Sequence, residues 1–368
     1  MENTLTKIMS SLDYKSLTHN LVHWYKDGHR PLPWRQSRDA YKIWISEVML
    51  QQTTVTAVVP FFERFITLFP DVKTLAQAPL EQVLQAWAGL GYYSRARNLH
   101  KAAQILQNGF PQSYQQLIEL SGFGPYTSRA ISSLAFGEQV GVLDGNVIRV
   151  LTRLIGHQSE WWKTSVKESL QKISDQIART DDPYYTNQAL MELGATICTP
   201  TNPSCSECPW SSRCISFKKS LQTSIPMKKP RRENEIWIWN LNLVKDKKKF
   251  LMIKEASSPI LKNQWMFPGT FKKSSKKPSE FLFKHQITHH EIYVCLNKKI
   301  DENFEPSISK HKNRLKTVTT AKSKNSQSPI EKQDIQKLNP DSIWVAIDEI
   351  SQLNPSSLLT KTLKSLGH

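Results

Sequence analysis

The sequence predicts a multidomain protein in which an all-α body precedes a smaller α+β domain. The 368 residues exceed the ~150 that one domain usually takes. Between residues 12 and 217 apolar side chains recur three and four positions apart, the period of a helix, whereas beyond residue 234 they alternate, the period of a strand. A basic, proline-flanked stretch separates the two patterns, so we expect domains at 1–217 and 234–368 joined by a linker at 218–233.

Charge and composition narrow the function. The chain carries 49 Lys and Arg residues against 32 Asp and Glu residues, a net charge of +17, which points to a polyanionic partner such as nucleic acid. With 39% hydrophobic residues and only 13 glycines, the chain is neither wholly disordered nor collagen-like. Apolar stretches fall short of the ~18 residues of a spanning helix, and the amino terminus has no secretory pattern. We therefore expect no membrane partner and a cytoplasmic location (at the nucleoid in a bacterium); we also expect a monomer.

Helix periodicity in the body is accompanied by capping residues that mark where helices begin. Asp39 precedes a segment that runs to Leu50, and Asp144 precedes a segment that starts near Asn146. Aspartate is favoured at such N-cap positions. The two clearest apolar faces contain Val83, Leu84, Trp87, Leu90, Val147, Val150, Leu151 and Leu154.

Four of the five cysteines form a cluster with the spacing C-x6-C-x2-C-x5-C. They are Cys198, Cys205, Cys208 and Cys214. Intracellular thiols stay reduced, so a metal centre is favoured over disulfides, and four thiolates suit either zinc or an iron–sulfur cluster. Spacing alone leaves both open. The fifth, Cys295, lies in a strand pattern and is expected to be a buried apolar residue.

The glycines of a turn at 120–127, Gly122 and Gly124, permit a tight hairpin between two helices. Backbone N–H groups at such a turn can bind a phosphate, although a plain helix connection has the same pattern. Two acidic residues are candidates for a functional role. Asp144 is either a helix cap or a functional acid, and Glu47 lies among apolar neighbours, where it either meets an ion-pair partner or has the raised pKa of a general acid.

The carboxy-terminal domain opens with alternating apolar residues at 236–244, followed by lysines at 245–249 and a return at 250–253. This pattern predicts a β-hairpin. A Lys-, Ser- and Thr-rich stretch at 307–338 is expected to be a disordered insertion, with a plain solvated loop favoured over a DNA-binding arm.

Together, six motifs in this order resemble the adenine DNA glycosylases of the MutY family. The motifs are PLPWR at 31–35, SEVMLQQT at 46–53, GLGYY at 89–93, SGFGPYT at 121–127, LDGNV at 143–147 and the four cysteines. The resemblance implies an all-α helix-hairpin-helix glycosylase body with a 4Fe-4S cluster loop, and a carboxy-terminal α+β domain of the MutT-like (Nudix) fold. The substrate would be double-stranded DNA with adenine opposite 8-oxoguanine or guanine.

The resemblance also gives the two acids roles. Glu47 would protonate adenine at N7 and assist the water, while ionised Asp144 would stabilise the positive charge that develops on the sugar. Tyr126 and Asn146 match positions that orient these groups. A base must leave the stack to be cleaved.

Further residues match the family's DNA contacts. Those around the extruded adenine are Arg30, Trp34, Arg35 and Gln188, and those at the opposing base are Leu50, Gln52, Leu90 and Tyr92. For Trp34, Leu50 and Leu90 the alternative is an ordinary core position, whereas Tyr92, next to two glycines, is expected to insert beside the lesion.

Two alternatives remain beside this interpretation. Endonuclease III-type enzymes, which act on damaged pyrimidines, share the hairpin and the cluster but use a lysine where Tyr126 stands; a tyrosine does not form the amine adduct that precedes strand cleavage, so we expect a monofunctional enzyme. A non-catalytic iron–sulfur DNA-binding protein would need neither Glu47 nor Asp144.

The carboxy-terminal domain resembles the family's MutT-like module through WMFPG at 265–269. In the family this module checks for 8-oxoguanine with a Phe-Ser-His or Phe-Thr-His turn. The nearest match is Thr288 and His289, with Ile287 in place of the aromatic residue; residues 283–285 are a weaker placement of the turn.

Overall fold

The computed structural model describes residues 7–230, 232–254, 258, 260–261, 264–297, 342–354 and 356–367. The insertion predicted at 307–338 lies outside the described residues. The chain divides into two compact units, Met1–Pro230 and Arg231–His368. In the described part of the chain, no helix is both long enough and apolar enough to cross a membrane.

The first unit is helical, as predicted. Its helices are α1 (Tyr14–Gly28), α2 (Ala40–Leu50), α3 (Val55–Leu68), α4 (Val72–Gln77), α5 (Leu80–Ala86), α6 (Tyr93–Leu106), α7 (Tyr114–Leu117), α8 (Pro125–Phe136), α9 (Gly145–Leu154), α10 (Thr164–Ala178), α11 (Pro183–Thr196) and α12 (Ile215–Lys218). Short 3-10 turns occur at Pro33–Arg35 and Cys205–Glu207.

Helix α2 runs through the middle of this unit and fixes its architecture. It begins where predicted, because the carboxylate of Asp39 accepts a hydrogen bond from the Lys42 N–H at 2.8 Å. Its residues from Tyr41 to Met49 are almost all buried, so the helix is in contact with neighbours on every side. The Trp44 ring stacks on Phe123 of the glycine hairpin with 5.4 Å between ring centroids. This stacking fixes the hairpin against α2.

The segment predicted as a linker at 218–233 is shorter than expected, because much of it packs on the helical unit. Ile225 is buried, and its carbonyl accepts a hydrogen bond from Arg153 Nε at 2.8 Å. The indole of Trp161 donates to the Met227 carbonyl at 2.9 Å. These contacts extend the helical unit to Pro230.

The second unit contains two four-stranded sheets and two described helices at its carboxy-terminal end. The strands are β1 (Glu235–Leu241), β2 (Lys245–Asp246), β3 (Lys249–Lys254), β4 (Trp265–Met266), β5 (Gly269–Ser274), β6 (Phe283–Ile287), β7 (His290–Leu296) and β8 (Ser342–Ala346), and the helices are α13 (Ile347–Leu353) and α14 (Ser357–Ser365). One sheet has the order β5-β1-β7-β6; the other has β2-β3-β4, with β8 also paired to β3. β1 is parallel to β7 and antiparallel to β5.

The predicted hairpin between 236–244 and 250–253 is wrong in its pairing. β1 pairs with β5 and β7, whereas β3 pairs with the two-residue strand β2. The turn contains Lys247 at φ +52°, and the hairpin includes only the residues next to it, as the Leu251 N–H donates to the Val244 carbonyl at 2.9 Å. Alternation identifies the faces of a strand but not its partner, so the sequence pattern could not separate the two sheets.

Cys295 also departs from expectation. The residue lies in β7 and is only half-buried, and its thiol donates to the Glu280 carbonyl at 3.4 Å. It is therefore not part of the apolar core of the second unit.

Candidate active site

Glu47 lies on the buried helix α2, and its side chain meets the amino-terminal turn of α8. The residue is only 6% exposed. The Tyr126 hydroxyl donates to Glu47 Oε2 at 2.7 Å, so the carboxyl has a hydrogen-bond donor rather than a full ion pair. The helix-hairpin-helix connection places Tyr126 there, because α8 begins directly after Gly124.

The surroundings of Glu47 raise the pKa of its carboxyl to about 7. Burial is the main cause, since it disfavours the charged form; the charge of Asp144 acts in the same direction, while Tyr126 and Arg35 oppose both. A carboxyl with such a pKa holds a proton near neutral pH and can release it to a base. The carboxyl of Glu47 thus has a tyrosine hydroxyl as its hydrogen-bond partner and a raised pKa.

Tyr126 stays protonated in this environment. Burial raises the pKa of its hydroxyl well above the usual value, and the charges of Glu47 and Asp144 add to the effect. The hydroxyl also lies 3.1 Å from the sulfur of Met191 on α11. It is therefore a fixed hydrogen-bond donor between three helices.

Asp144 uses its two oxygens differently. Oδ1 accepts from the Val147 N–H at 2.7 Å and caps α9, as predicted. Oδ2 accepts from Asn146 Nδ2 at 3.0 Å. Burial raises the pKa of this carboxyl, and the hydrogen bonds from Val147 and Asn146, with the charge of Arg149, oppose that rise. The carboxylate is thus held rigidly in place.

Arg149 connects Asn146 to the cysteine loop. Its guanidinium donates to Asn146 Oδ1 at 2.8 Å and to the carbonyls of Cys198 and Gly194 at 2.8 and 2.7 Å. Helices α9 and α11 approach closely here, since Gly194 has no side chain. A Cβ added at Gly194 would lie 2.7 Å from the Asn146 Cβ. Hydrogen bonds thus connect Asp144, through Asn146 and Arg149, to the loop that contains Cys198.

Four polar residues from distant parts of the chain form a second network beside Glu47. Glu192 accepts from Arg30 Nε at 2.7 Å and from Arg35 Nη2 at 2.8 Å. Arg35 Nε also donates to Gln188 Oε1 at 3.0 Å. Trp34 is buried and packs edge-on against Phe62. The network brings together the predicted residues Arg30, Arg35 and Gln188.

Glu192 was not predicted. It is buried, and although burial alone would raise the pKa of its carboxyl, the hydrogen bonds and charges of Arg30 and Arg35 lower that pKa to about 2. An acid within the otherwise apolar run from Ala189 to Leu193 was the available signal, since buried charges are almost always paired. Arg149 gave no comparable signal, because the carbonyls of Gly194 and Cys198 that it binds lie far away in the chain.

Of the four residues predicted to contact the opposing base, Leu50 is the last residue of α2, and the others lie in the turns that follow α2 and precede α6. Gln52 follows the end of α2 with φ +60°, and Tyr92 precedes α6 with φ +49°. Leu50 is half-buried and Leu90 is buried. The Tyr92 side chain is 48% exposed, so an aromatic ring projects from a strained backbone, an arrangement that is typical of functional turns.

The glycine hairpin has the geometry that the sequence predicts. Gly122 adopts φ +93°, and a Cβ there would lie 3.3 Å from Asn98 Cβ. The Phe123 N–H donates to the Leu120 carbonyl at 3.0 Å, which closes the turn, and Gly124 precedes the first residue of α8. The first residue of α8 is Pro125, which has no N–H, and no side chain caps the N–H groups that follow it.

The four clustered cysteines line one cavity next to α9. Burial and the charges of the neighbouring thiolates raise the pKa of Cys208 to about 12, and the Trp210 N–H opposes the rise. Four thiolates at this spacing repel one another unless cations neutralise them, so the donor set fits a polynuclear iron site. Buried Arg153 donates to the carbonyls of Thr199 and Pro200 at 2.7 and 3.0 Å, which holds the loop in place.

In the second unit, Thr288 and His289 form the turn between β6 and β7. Thr288 has φ +54°, and its hydroxyl lies 3.4 Å from Nδ1 of both His289 and His290. Glu235 lies near both imidazoles, but its carboxylate binds Lys273 at 3.0 Å, and this cation disfavours a metal ion there. The turn is therefore polar, with Thr288 exposed at the surface and His289 half-buried.

Comparison with known proteins adds to this geometry. Residues 45–176 match the family described as HhH-GPD superfamily base excision DNA repair protein. Residues 198–214 match the iron-sulfur binding domain of endonuclease III. The first match contains Glu47, Tyr126 and Asp144, and the second begins and ends at a clustered cysteine.

Proteins similar over longer stretches are adenine DNA glycosylases. That of Buchnera aphidicola subsp. Schizaphis graminum is 34% identical over 312 residues, which cover 78% of this chain and 89% of the relative. The human protein is 43% identical over 219 residues, 56% of this chain and 40% of the relative.

A solved structure shares the fold of the helical part. It is described as a thermostable thymine-DNA glycosylase, with a TM-score of 0.51 and 25% identity, and the match covers 56% of this chain and 97% of that chain.

Proposed function

Because the chain belongs to the adenine DNA glycosylase family, we propose that it releases adenine mispaired with 8-oxoguanine or guanine from double-stranded DNA. The protein is a base-excision-repair enzyme of the HhH-GPD superfamily. The observation that supports the mechanism is that the site contains two different acids. Glu47 is buried and has a raised pKa, Asp144 is held by hydrogen bonds, and the charges of both raise the pKa of Tyr126.

The reaction needs a proton on the leaving base and an anion near the sugar. Glu47 donates its proton to N7 of the extruded adenine, which makes the base a neutral leaving group. Asp144 stabilises the positive charge on the sugar through Oδ2, because Oδ1 remains bound to the α9 backbone. Glu47, now ionised, takes a proton from the attacking water. Tyr126 holds Glu47 in place, and Asn146 holds Asp144.

Binding of the adenine is assigned to the polar network beside Glu47. The exposed part of Arg30 and the amide of Gln188 offer hydrogen bonds to the base edge, and Glu192 keeps both arginines in position. Leu50, Gln52, Leu90 and Tyr92 face the opposing base. The glycine hairpin, with Gly122 and Gly124, binds a phosphate.

The enzyme is proposed to be monofunctional. Tyr126 stands where a lyase of the endonuclease III type needs a lysine, and a hydroxyl that remains protonated cannot form an imine with the sugar. We also propose that it acts as a monomer.

The cofactor is a 4Fe-4S cluster bound by Cys198, Cys205, Cys208 and Cys214. When bound, it cross-links the loop and provides no redox step, since base hydrolysis transfers no electrons. The chain's own contribution is the Arg149 contact from the Cys198 carbonyl to Asn146.

We also propose that the second unit is a MutT-like (Nudix-fold) domain that recognises 8-oxoguanine without catalysis. Its mixed sheet and carboxy-terminal helices support this α+β fold. Thr288 and His289 offer a hydroxyl and an imidazole on an exposed turn. Ile287 replaces the family's aromatic residue, so the preference for 8-oxoguanine over guanine rests on the two polar groups.

The test uses purified protein and duplexes with adenine opposite 8-oxoguanine, adenine opposite guanine, or thymine glycol. We expect abasic sites only in the two adenine duplexes, and strand breaks only after alkali. Strand breaks before alkali, or base release from the thymine glycol duplex, would contradict this proposal and favour an endonuclease III-type lyase. DNA binding without base release in any duplex would favour a non-catalytic protein.

A further inference from the structure

Two turns next to each other carry the residues assigned to the opposing base. The first follows α2 and contains Gln52 (φ +60°); the second precedes α6 and contains Gly91 (φ +70°) and Tyr92 (φ +49°). Left-handed backbone at a non-glycine residue is unfavourable and persists only where the surroundings impose it. Something in the protein must therefore hold both turns.

Arg95 on α6 contacts both turns with one guanidinium. Nη1 donates to the carbonyls of Val48 at 2.8 Å, Met49 at 3.1 Å and Gln51. These are the last carbonyls of α2 and its C-cap, where the helix dipole and the missing intrahelical donors favour a cation.

The other nitrogen serves the second turn. Nη2 donates to the carbonyls of Leu90 at 3.2 Å and Gly91 at 3.3 Å. The guanidinium carbon also lies 5.4 Å from the Tyr92 ring centroid, within the range of a cation–π contact. Arg95 Nε is buried without a partner among the described residues, an unfavourable arrangement that the carbonyl contacts outweigh.

We propose that Arg95 is a positioning residue that fixes the spacing of the two turns and thereby controls how the enzyme opens the duplex opposite the target adenine. It contacts no proposed catalytic group; it acts through Gln52 and Tyr92. The inference rests on the proposed function, because it assigns these turns to the base opposite adenine. A lysine could not replace it, since an ammonium lacks the planar fork that reaches two separate carbonyl sets.

The experiment uses Arg95→Lys, which keeps the charge, and Arg95→Met, which removes it. The control is Arg97→Met, which also removes one positive charge from α6. The probes are an adenine opposite 8-oxoguanine and an adenine opposite an abasic position, where no opposing base must be displaced. We expect both Arg95 variants to slow adenine release from the first duplex by about tenfold and from the second much less, because misplacing a positioning group has effects of this size. Arg97→Met should affect both duplexes equally and weakly.

A double-mutant cycle keeps the proposal testable if overall activity falls. If Arg95 acts through Tyr92, adding Arg95→Lys to Tyr92→Ala should cause little further loss. Fluorescence of 2-aminopurine beside the target adenine should show less unstacking with Arg95→Lys than with the unmodified protein, while iron content and the pH profile stay unchanged. Equal losses on both duplexes, additive effects with Tyr92→Ala, or a changed pH profile would overturn the proposal. Failure of the proposed function is a separate result, seen as no adenine release by the unmodified protein.

Discussion

The two regions assigned to the mispair differ in how firmly their polar groups are held. Around adenine, Glu47 is 6% exposed and bonded at 2.7 Å, and Asp144 is bonded at 2.7 and 3.0 Å. At the turn proposed to recognise 8-oxoguanine, Thr288 is exposed; its hydroxyl donates to the adjacent Ile287 carbonyl at 2.7 Å, but its contacts to the imidazoles are 3.4 Å long. A catalytic site needs its charged groups fixed before the substrate binds. A site that only recognises a base can form its hydrogen bonds when the base binds.

The largest expected effect comes from the buried side of this comparison. Glu47→Gln keeps the shape and the contact with Tyr126 but cannot donate a proton to adenine. We expect single-turnover adenine release to fall by about 10³-fold or more, within the range of general acid catalysis. Unchanged affinity for the duplex is the control; release within tenfold of the unmodified rate would remove Glu47 from the acid role.

The pH dependence of release tests the same carboxyl. Because the acid must be protonated and its pKa is about 7, the rate should fall about tenfold per pH unit above that value, provided that proton donation limits the rate. A profile that stays flat up to pH 9 would contradict the assignment.

The raised pKa also predicts a link to stability. The folded state binds this proton more tightly than the unfolded chain does, so stability decreases as pH rises from about 4.5 to 7. At pH 8 the free energy of unfolding of Glu47→Gln should therefore exceed that of the unmodified protein by up to about 3 kcal/mol, seen as a higher unfolding temperature. This difference should become small at pH 5. An equal gap at both pH values would mean that a different contact is responsible.

Arg149→Met tests whether the rigidity of Asp144 depends on the cysteine loop. Losing the bonds to Asn146 and the Cys198 carbonyl should lower release by about 10- to 100-fold, the usual cost of losing a supporting contact near a metal ligand. Arg129→Met is the matched control, because Arg129 pairs with Asp175 elsewhere in the unit. Full activity of Arg149→Met would show that Asp144 needs no such support.

The smallest effect is expected at the exposed turn. His289→Ala should leave the rate for adenine opposite guanine nearly unchanged and lower the preference for 8-oxoguanine by about fivefold, as expected for one exposed hydrogen bond. Competition between the two duplexes measures this ratio. An unchanged ratio would move recognition to another group.

The sequence predicts local features of this chain well and distant contacts poorly. The caps at Asp39 and Asp144 and the glycine hairpin follow from residue type and immediate neighbours, and all are confirmed. The pairing of β1 is different, because strand alternation says nothing about which strand lies alongside.

The same limit applies to the candidate site. Glu47 could be selected from its apolar neighbours alone. Glu192 lies 162 positions from Arg30, and Arg149 lies 49 from Cys198; only the folded chain brings these groups together. The residues that react are thus easier to find in a sequence than those that hold them.

The close approach of α9 and α11 at Gly194 has one more consequence. A single methyl group at that position would push Asn146 aside, and with it the carboxylate of Asp144. Gly194→Ala would therefore damage catalysis by bulk alone, with every charged and polar side chain of the site still in the protein. The precision of this enzyme is set in part by a hydrogen atom where any other residue would have carbon.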